Sequence, residues 1–171
     1  MRRPLAVGCI ATVALIGSGC GGGSKRSASS AATSGANAPS TATVSPAAAS
    51  GISVTSKSGK LGTILAAGPK RLTVYMFEGD RGASSSCSGG CASVWPPVTS
   101  GGSPVASGQA QASDIGLVTR SDGSRQVTYK GHPLYFYARD GDQGDAYGQG
   151  IKGFGASWYV LTPSGKKVDN S

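Results

Sequence analysis

"LTVYMFEGD" (Leu72–Asp80) and "HPLYFYARD" (His132–Asp140) are two copies of one pattern. Tyr75 aligns with Tyr135, Phe77 with Tyr137 and Asp80 with Asp140, all at an offset of 60 residues. Each copy then runs on to a tryptophan, Trp95 or Trp158. In a strand, alternate side chains share a face, so Tyr75 and Phe77 point together, as do Tyr135 and Tyr137. Each pair predicts a core-facing aromatic ladder whose tyrosine hydroxyls seek partners at the rim of a sheet. Asp80 and Asp140 fall just past the strand ends, where aspartate accepts backbone N–H bonds and fixes the next turn. A second use of the two carboxylates is an ion site or a pair of acids, if a pseudo-twofold brings them face to face. Two copies are too few for a solenoid and must share one core.

The flanking sequence speaks the same language. "LGTIL" and "LTVYMF" surround the turn-forming "AAGPKR", and "IGLVTR" and "RQVTY" surround "SDGS". Asp122-Gly123 is a strong hairpin signal. "ASWYVLTPSGKKV" reads as a last strand and a turn. No window carries apolar residues at helical spacing. The fold class is therefore all-β: a small antiparallel assembly of six to nine strands, with long loops after each aspartate. Two tandem repeats build it, the first over about residues 60–100 and the second over about 115–165, within a domain spanning 51–171.

The region before this domain is of a different kind. Arg2 and Arg3 precede an apolar stretch, Leu5 to Ile16, of secretory-signal length and short of the about 20 residues a spanning helix needs. "GSGC" then ends at Cys20. This resembles the lipobox of bacterial lipoproteins, in which the cysteine carries the lipid, although Gly17 stands where that pattern prefers Leu, Val or Ile. Residues 1–19 are accordingly read as a signal peptide and Cys20 as the lipid attachment, the alternative being an ordinary signal peptide cleaved near Cys20 and a secreted, unacylated protein. In Gly21–Ser50, 26 of 30 residues are Gly, Ser, Ala, Thr or Pro. Such a segment buries too little apolar surface to offset its ordering entropy, so 20–50 reads as a flexible linker. The domain itself has 12 Lys and Arg against 8 Asp and Glu, a net +4 without any basic block. That balance suits a membrane surface or an envelope polymer and gives no nucleic-acid footprint.

Of four cysteines, Cys9 leaves with the signal and Cys20 is assigned to the lipid, which leaves Cys87 and Cys91 in "CSGGC". Outside the cytoplasm a pair four apart is most economically a disulfide. Two alternatives stand beside it: a reversible thiol couple, and a copper site in which the single histidine, His132, joins two thiolates. "RDGDQGDAYGQG" places Asp140, Asp142 and Asp145 among glycines, as calcium loops do, but Ile151 stands where an EF-hand needs its glutamate. A solvated loop with Asx-turns is the other reading.

Taken together, "YMFEGD", "CSGGCASVWPPV" and "YKGHPLYFYARD…GQG…SWYVL" resemble the bacterial secreted or lipid-anchored repeat proteins marked by a Tyr-x-aromatic-x-x-Asp motif. The resemblance covers about Leu61 to Leu161. It implies an exported lipoprotein with tandem motifs at Tyr75, Phe77, Asp80, Tyr135, Tyr137 and Asp140, and it brings no reaction, cofactor or catalytic residue with it. With one histidine and one glutamate, Glu78, the domain offers no Ser-His-Asp set. The expectation is a non-catalytic, tethered binding or structural module of the cell envelope, attached to the membrane by its lipid and facing an envelope or cell-wall partner. An envelope redox or copper-handling protein using Cys87, Cys91 and His132 is the alternative.

Overall fold

A computed structural model describes residues 50–169. The expected signal peptide over 1–19 and the expected lipid attachment at Cys20 lie outside the described residues. So does the expected linker over 20–50, apart from Ser50, which opens the first strand.

The strands are β1 (Ser50–Gly59), β2 (Gly62–Ala67), β3 (Leu72–Thr73), β4 (Tyr75–Phe77), β5 (Ser103–Ala106), β6 (Ile115–Thr119), β7 (Arg125–Tyr129), β8 (His132–Pro133), β9 (Lys152–Gly153) and β10 (Ala156–Val160). One short helix, α1 (Gly90–Val94), and a 3₁₀ turn at Ala112–Asp114 are the helical elements described. The class is all-β, as expected, but with ten strands rather than six to nine. One extra strand arises at Val74, where the run Leu72–Phe77 changes partners: β3 pairs with β2, and β4 pairs with β10. In the second copy the same run holds β8 and then two isolated bridges at Tyr135, to Tyr75 and to Pro97.

Three small sheets result, in the orders β3-β2-β1-β5, β4-β10-β9 and β6-β7-β8. All pairings are antiparallel except β1 with β5, which is parallel because the segment between the repeats runs back alongside the first strand. The hairpins form where the sequence supplies left-handed backbone. Lys130 and Gly131 both have positive φ (46° and 78°), which closes the two-residue turn between Tyr129 and His132. At Asp122-Gly123, Asp122 Oδ1 accepts the Ser124 N–H at 2.9 Å and the turn closes on its own side chain.

The repeats are built alike in their inner strands. Leu65 N–H donates to Leu161 O (2.8 Å), and its counterpart Val127 N–H donates to Val98 O (2.7 Å). Likewise Val74 N–H reaches Leu65 O, and Leu134 N–H reaches Val127 O. These six residues sit in one buried apolar cluster with Val54 and Tyr129. The bonds also show an exchange. The tryptophan-bearing segment of repeat two, β10, lies on β4 of repeat one, with Trp158 opposite Phe77 and Val160 opposite Tyr75. The corresponding segment of repeat one, just after Trp95, lies on repeat two, with Pro97 opposite Tyr135 and Thr99 opposite Gln126. Each repeat completes the other.

Candidate functional site

The motif residues meet at the centre of this exchange. Tyr75 and Tyr135 form an antiparallel bridge, Tyr75 N–H donating to Tyr135 O at 2.8 Å and Tyr135 N–H to Tyr75 O at 3.0 Å. Such mutual bonding places a pseudo-twofold between them. Because each tyrosine is fully buried, its hydroxyl needs a partner, and it finds one across that axis. Tyr75 OH donates to Asp140 Oδ2 at 2.6 Å, and Tyr135 OH donates to Asp80 Oδ2 at 2.7 Å. The motif is a reciprocal lock in which each repeat's tyrosine holds the other repeat's aspartate.

The second oxygen of each carboxylate fixes the loop that follows. Asp80 Oδ1 accepts the Ser86 N–H (2.7 Å) and hydroxyl (2.9 Å), while Asp140 Oδ1 accepts the Tyr147 N–H (3.1 Å). The expected turn-fixing role is thus visible in both copies, and it is joined to a cross-repeat bond that the spacing did not announce. Burial raises the Asp140 carboxyl above its ordinary range, against the opposing pull of the Tyr75 hydroxyl and the Tyr147 N–H. Burial likewise raises both phenols, with the neighbouring carboxylates adding to the effect. Both tyrosines therefore stay protonated, as donors to an acid must.

Around the lock the rings form a column. Phe77 stacks on Trp158 at 4.2 Å, Trp158 on Trp95 at 3.9 Å with planes 2° apart, and Trp95 packs on Tyr137 at 4.4 Å. Tyr75 and Tyr135 meet Trp95 and Trp158 edge-on, at 5.3 and 5.1 Å. The column alternates between repeats, so the expected ladders within each strand become one shared ladder across both. Gly148 makes it possible: a Cβ there would come within 2.7 Å of the Trp95 ring and 2.9 Å of Tyr75, and its N–H donates to Tyr75 OH at 3.2 Å. Nothing in "AYGQG" marks this glycine out from its neighbours.

A cation braces each post-aspartate loop from the opposite repeat. Arg120, buried at the end of β6, donates through Nη1 to Ser85 Oγ (2.6 Å) and Gln126 Oε1 (2.7 Å), and through Nη2 to Cys87 O (2.6 Å). Its Nε makes no hydrogen bond and faces Asp122 Oδ2 at 3.5 Å. Since the single Tyr135 hydroxyl proton goes to Asp80, Ser85 Oγ donates to Tyr135 OH (2.7 Å), giving a directed chain Arg120–Ser85–Tyr135–Asp80. On the other side Lys57 of β1 donates to Thr73 Oγ1 (2.6 Å) and to the carbonyls of Gln143 and Asp145. Burial lowers the Lys57 pKa, and the charges of Asp140 and Asp145 partly restore it. The two cations occupy different register positions, which is why no repeat alignment reveals them: Lys57 pairs with Ile64, and Arg120 lies beyond the Thr119–Arg125 pair.

The loops differ. The first is closed by a disulfide between Cys87 and Cys91, both buried, at the entry to α1 and Trp95. With the sulfurs bonded to each other they are not thiolate ligands, and His132 sits in β8 opposite Tyr129, so no copper set is assembled. Among the described residues no group of three or more His, Cys, Asp or Glu could hold a metal ion. In the calcium-like loop, Asp145 Oδ2 instead accepts the N–H groups of Gly141 (2.9 Å) and Asp142 (3.0 Å), which hold its carboxyl below the ordinary range. That second loop carries no disulfide, and between it and the β1–β2 tip lies a groove of about 460 Å³ lined by Lys57, Lys60, Leu61, Ile64, Asp145 and Tyr147 among others. Of these, the sequence marks out Asp145 alone.

No curated protein and no solved structure matches the chain. A family model does match, twice, over residues 55–99 and 116–162, together more than half of the chain and one match for each half of the reciprocal lock. The chain belongs to that family, described as a secreted repeat of unknown function.

Proposed function

We propose that this protein is a non-catalytic binding or structural module of the cell envelope, held at the membrane by a lipid on Cys20 and displayed on the 20–50 linker. The reciprocal lock is the observation that carries this reading. A general acid or base must come within hydrogen-bond reach of the proton it moves. Here both motif carboxylates and both motif phenols already hold one another beneath the shared aromatic column. Arg120 and Lys57 are committed in the same way to loop carbonyls. The chemistry-bearing residues serve the scaffold, and membership of a secreted family supports its placement outside the cytoplasm.

Activity screens of the purified domain against glycan, peptide and ester substrates test the reading. The expected result is no turnover. Turnover that disappears in Asp80→Asn or Asp140→Asn would overturn it. For the anchor, Cys20→Ser is expected to move the full-length protein from the membrane fraction to the medium, and retention in the membrane fraction would remove the lipid from the account. Uptake of about one Cu(I) by the reduced protein, lost in Cys87→Ser and His132→Ala, would favour the copper alternative instead.

A further inference from the structure

We infer that the groove between the β1–β2 tip and the Gly141–Gly150 loop binds an anionic glycan carrying acetamido groups. This deepens the reading of the chain as a binding module and rests on it. The first ground is the divergence of the two loops. Asp80 positions a loop that a disulfide closes and Arg120 braces, whereas Asp140 positions one that Lys57 braces without a disulfide, beside a cavity of about 460 Å³. That volume falls within the roughly 300–1,000 Å³ of small-ligand sites.

The second ground is Tyr147. The residue is 64% exposed, yet its backbone is held in place. The backbone N–H is held by Asp140 Oδ1 at 3.1 Å, and the charge of the nearby Asp145 keeps the phenol protonated by raising its pKa. An exposed aromatic ring carried on an anchored backbone offers a flat apolar face, with two side-chain torsions to order, on which a sugar ring stacks. Behind it Leu61 and Ile64 provide an apolar floor suited to the methyl of an acetamido group.

Charge supplies the third. The Lys57 ammonium is saturated by three oxygen acceptors. Lys60, at the exposed tip, has no ion pair among the described residues and is left to meet a carboxylate of the ligand. The Asp145 carboxylate, capped by two backbone N–H groups, is turned toward its own loop. Position agrees: the groove lies at the Gly59 end of β1, roughly 30 Å along the strand from Ser50, where the linker enters. A domain hung from Ser50 presents the groove away from its point of attachment, toward an extended polymer.

Calorimetric titration of the domain with three soluble probes decides the matter: hyaluronan hexasaccharide (acetamido and carboxylate), chitohexaose (acetamido only) and polyglutamate (carboxylate only). Hyaluronan hexasaccharide is expected to bind, chitohexaose several-fold more weakly and polyglutamate not measurably. Tyr147→Ala is expected to weaken hyaluronan binding about tenfold. Lys60→Ala should erase the preference over chitohexaose, and Phe154→Ala, an exposed aromatic outside the groove, should change nothing. Unaltered melting temperatures establish that the variants are folded. No binding of hyaluronan hexasaccharide, binding that survives Tyr147→Ala, or equal binding of polyglutamate overturns the groove assignment and leaves the module reading in place. Shortening of either oligosaccharide, seen by mass spectrometry, overturns the module reading instead.

Discussion

At the residue scale the decisive feature is a hydroxyl proton. Tyr75→Phe deletes the donor to Asp140 Oδ2 and the acceptor of the Gly148 N–H in a buried site, leaving both without a partner. The expected cost is about 1–3 kcal/mol, read as a lower urea midpoint with unchanged slope. Two aspartates of one loop should answer acid in opposite ways. Asp140 has its folded pKa raised by burial, so its contribution grows as pH falls through that value toward the unfolded one near 3.8. Asp145 has its folded pKa lowered by two backbone N–H groups, so its contribution is present above the unfolded value and is lost as pH falls through the folded one. Asp145→Asn should therefore flatten the acid limb of a stability-against-pH curve, while Asp140→Asn should steepen it. Urea midpoints from pH 3 to 7 would show the two limbs.

Elements carry the difference between what the sequence disclosed and what it withheld. Alternation in "LTVYMF" and the Asp122-Gly123 turn were enough for strands and hairpins, because those depend on neighbours in the chain. The change of partner at Val74 was not legible, since it is decided by β2 and by β10, the latter some eighty residues away. Tyr75, Phe77, Asp80 and their counterparts were visible as a motif, but the crossing of tyrosine to the far aspartate depends on how the halves pack. Arg120, Ser85 and Gly148 carried no signal at all: an arginine before a turn and a glycine among glycines look ordinary until the opposite repeat is placed. The corner at Cys87–Cys91 was readable from spacing and compartment. Replacing both cysteines by serine should cost about 2 kcal/mol, the value for so short a closed loop. It should also raise hydrogen exchange across Ser85–Gly90, because Cys87 O holds Arg120 there, while the Asp140 loop stays protected. Equal loosening of both loops would show that the disulfide acts on the whole core and not on its own corner.

For the whole molecule the exchange of tryptophan segments is the organising fact. A single repeat lacks the strand that covers its motif and the ring that stacks on its tryptophan. Fragments 50–108 and 109–169 should each lack near-ultraviolet circular dichroism when alone. Mixed at equal concentration, they should recover it together with native tryptophan emission. Recovery by one fragment alone, at concentrations too low for it to pair with itself, would mean that the repeats are independent. The separations involved, 63 residues between the stacked tryptophans and 65 between Tyr75 and Asp140, place the fold among topologies whose rewarding contacts come late.

That lateness has a consequence for biogenesis. Until residues 156–160 have left the ribosome, Phe77 has no strand opposite it and Trp95 no neighbour to lie against. A nascent chain that still lacks that segment is expected to have no fixed tertiary packing, a state a translocation channel accepts, and outside the cytoplasm Cys87 and Cys91 can also oxidise. Interlocking the two copies thus postpones closure of the core until both are present, whichever side of the membrane they meet on.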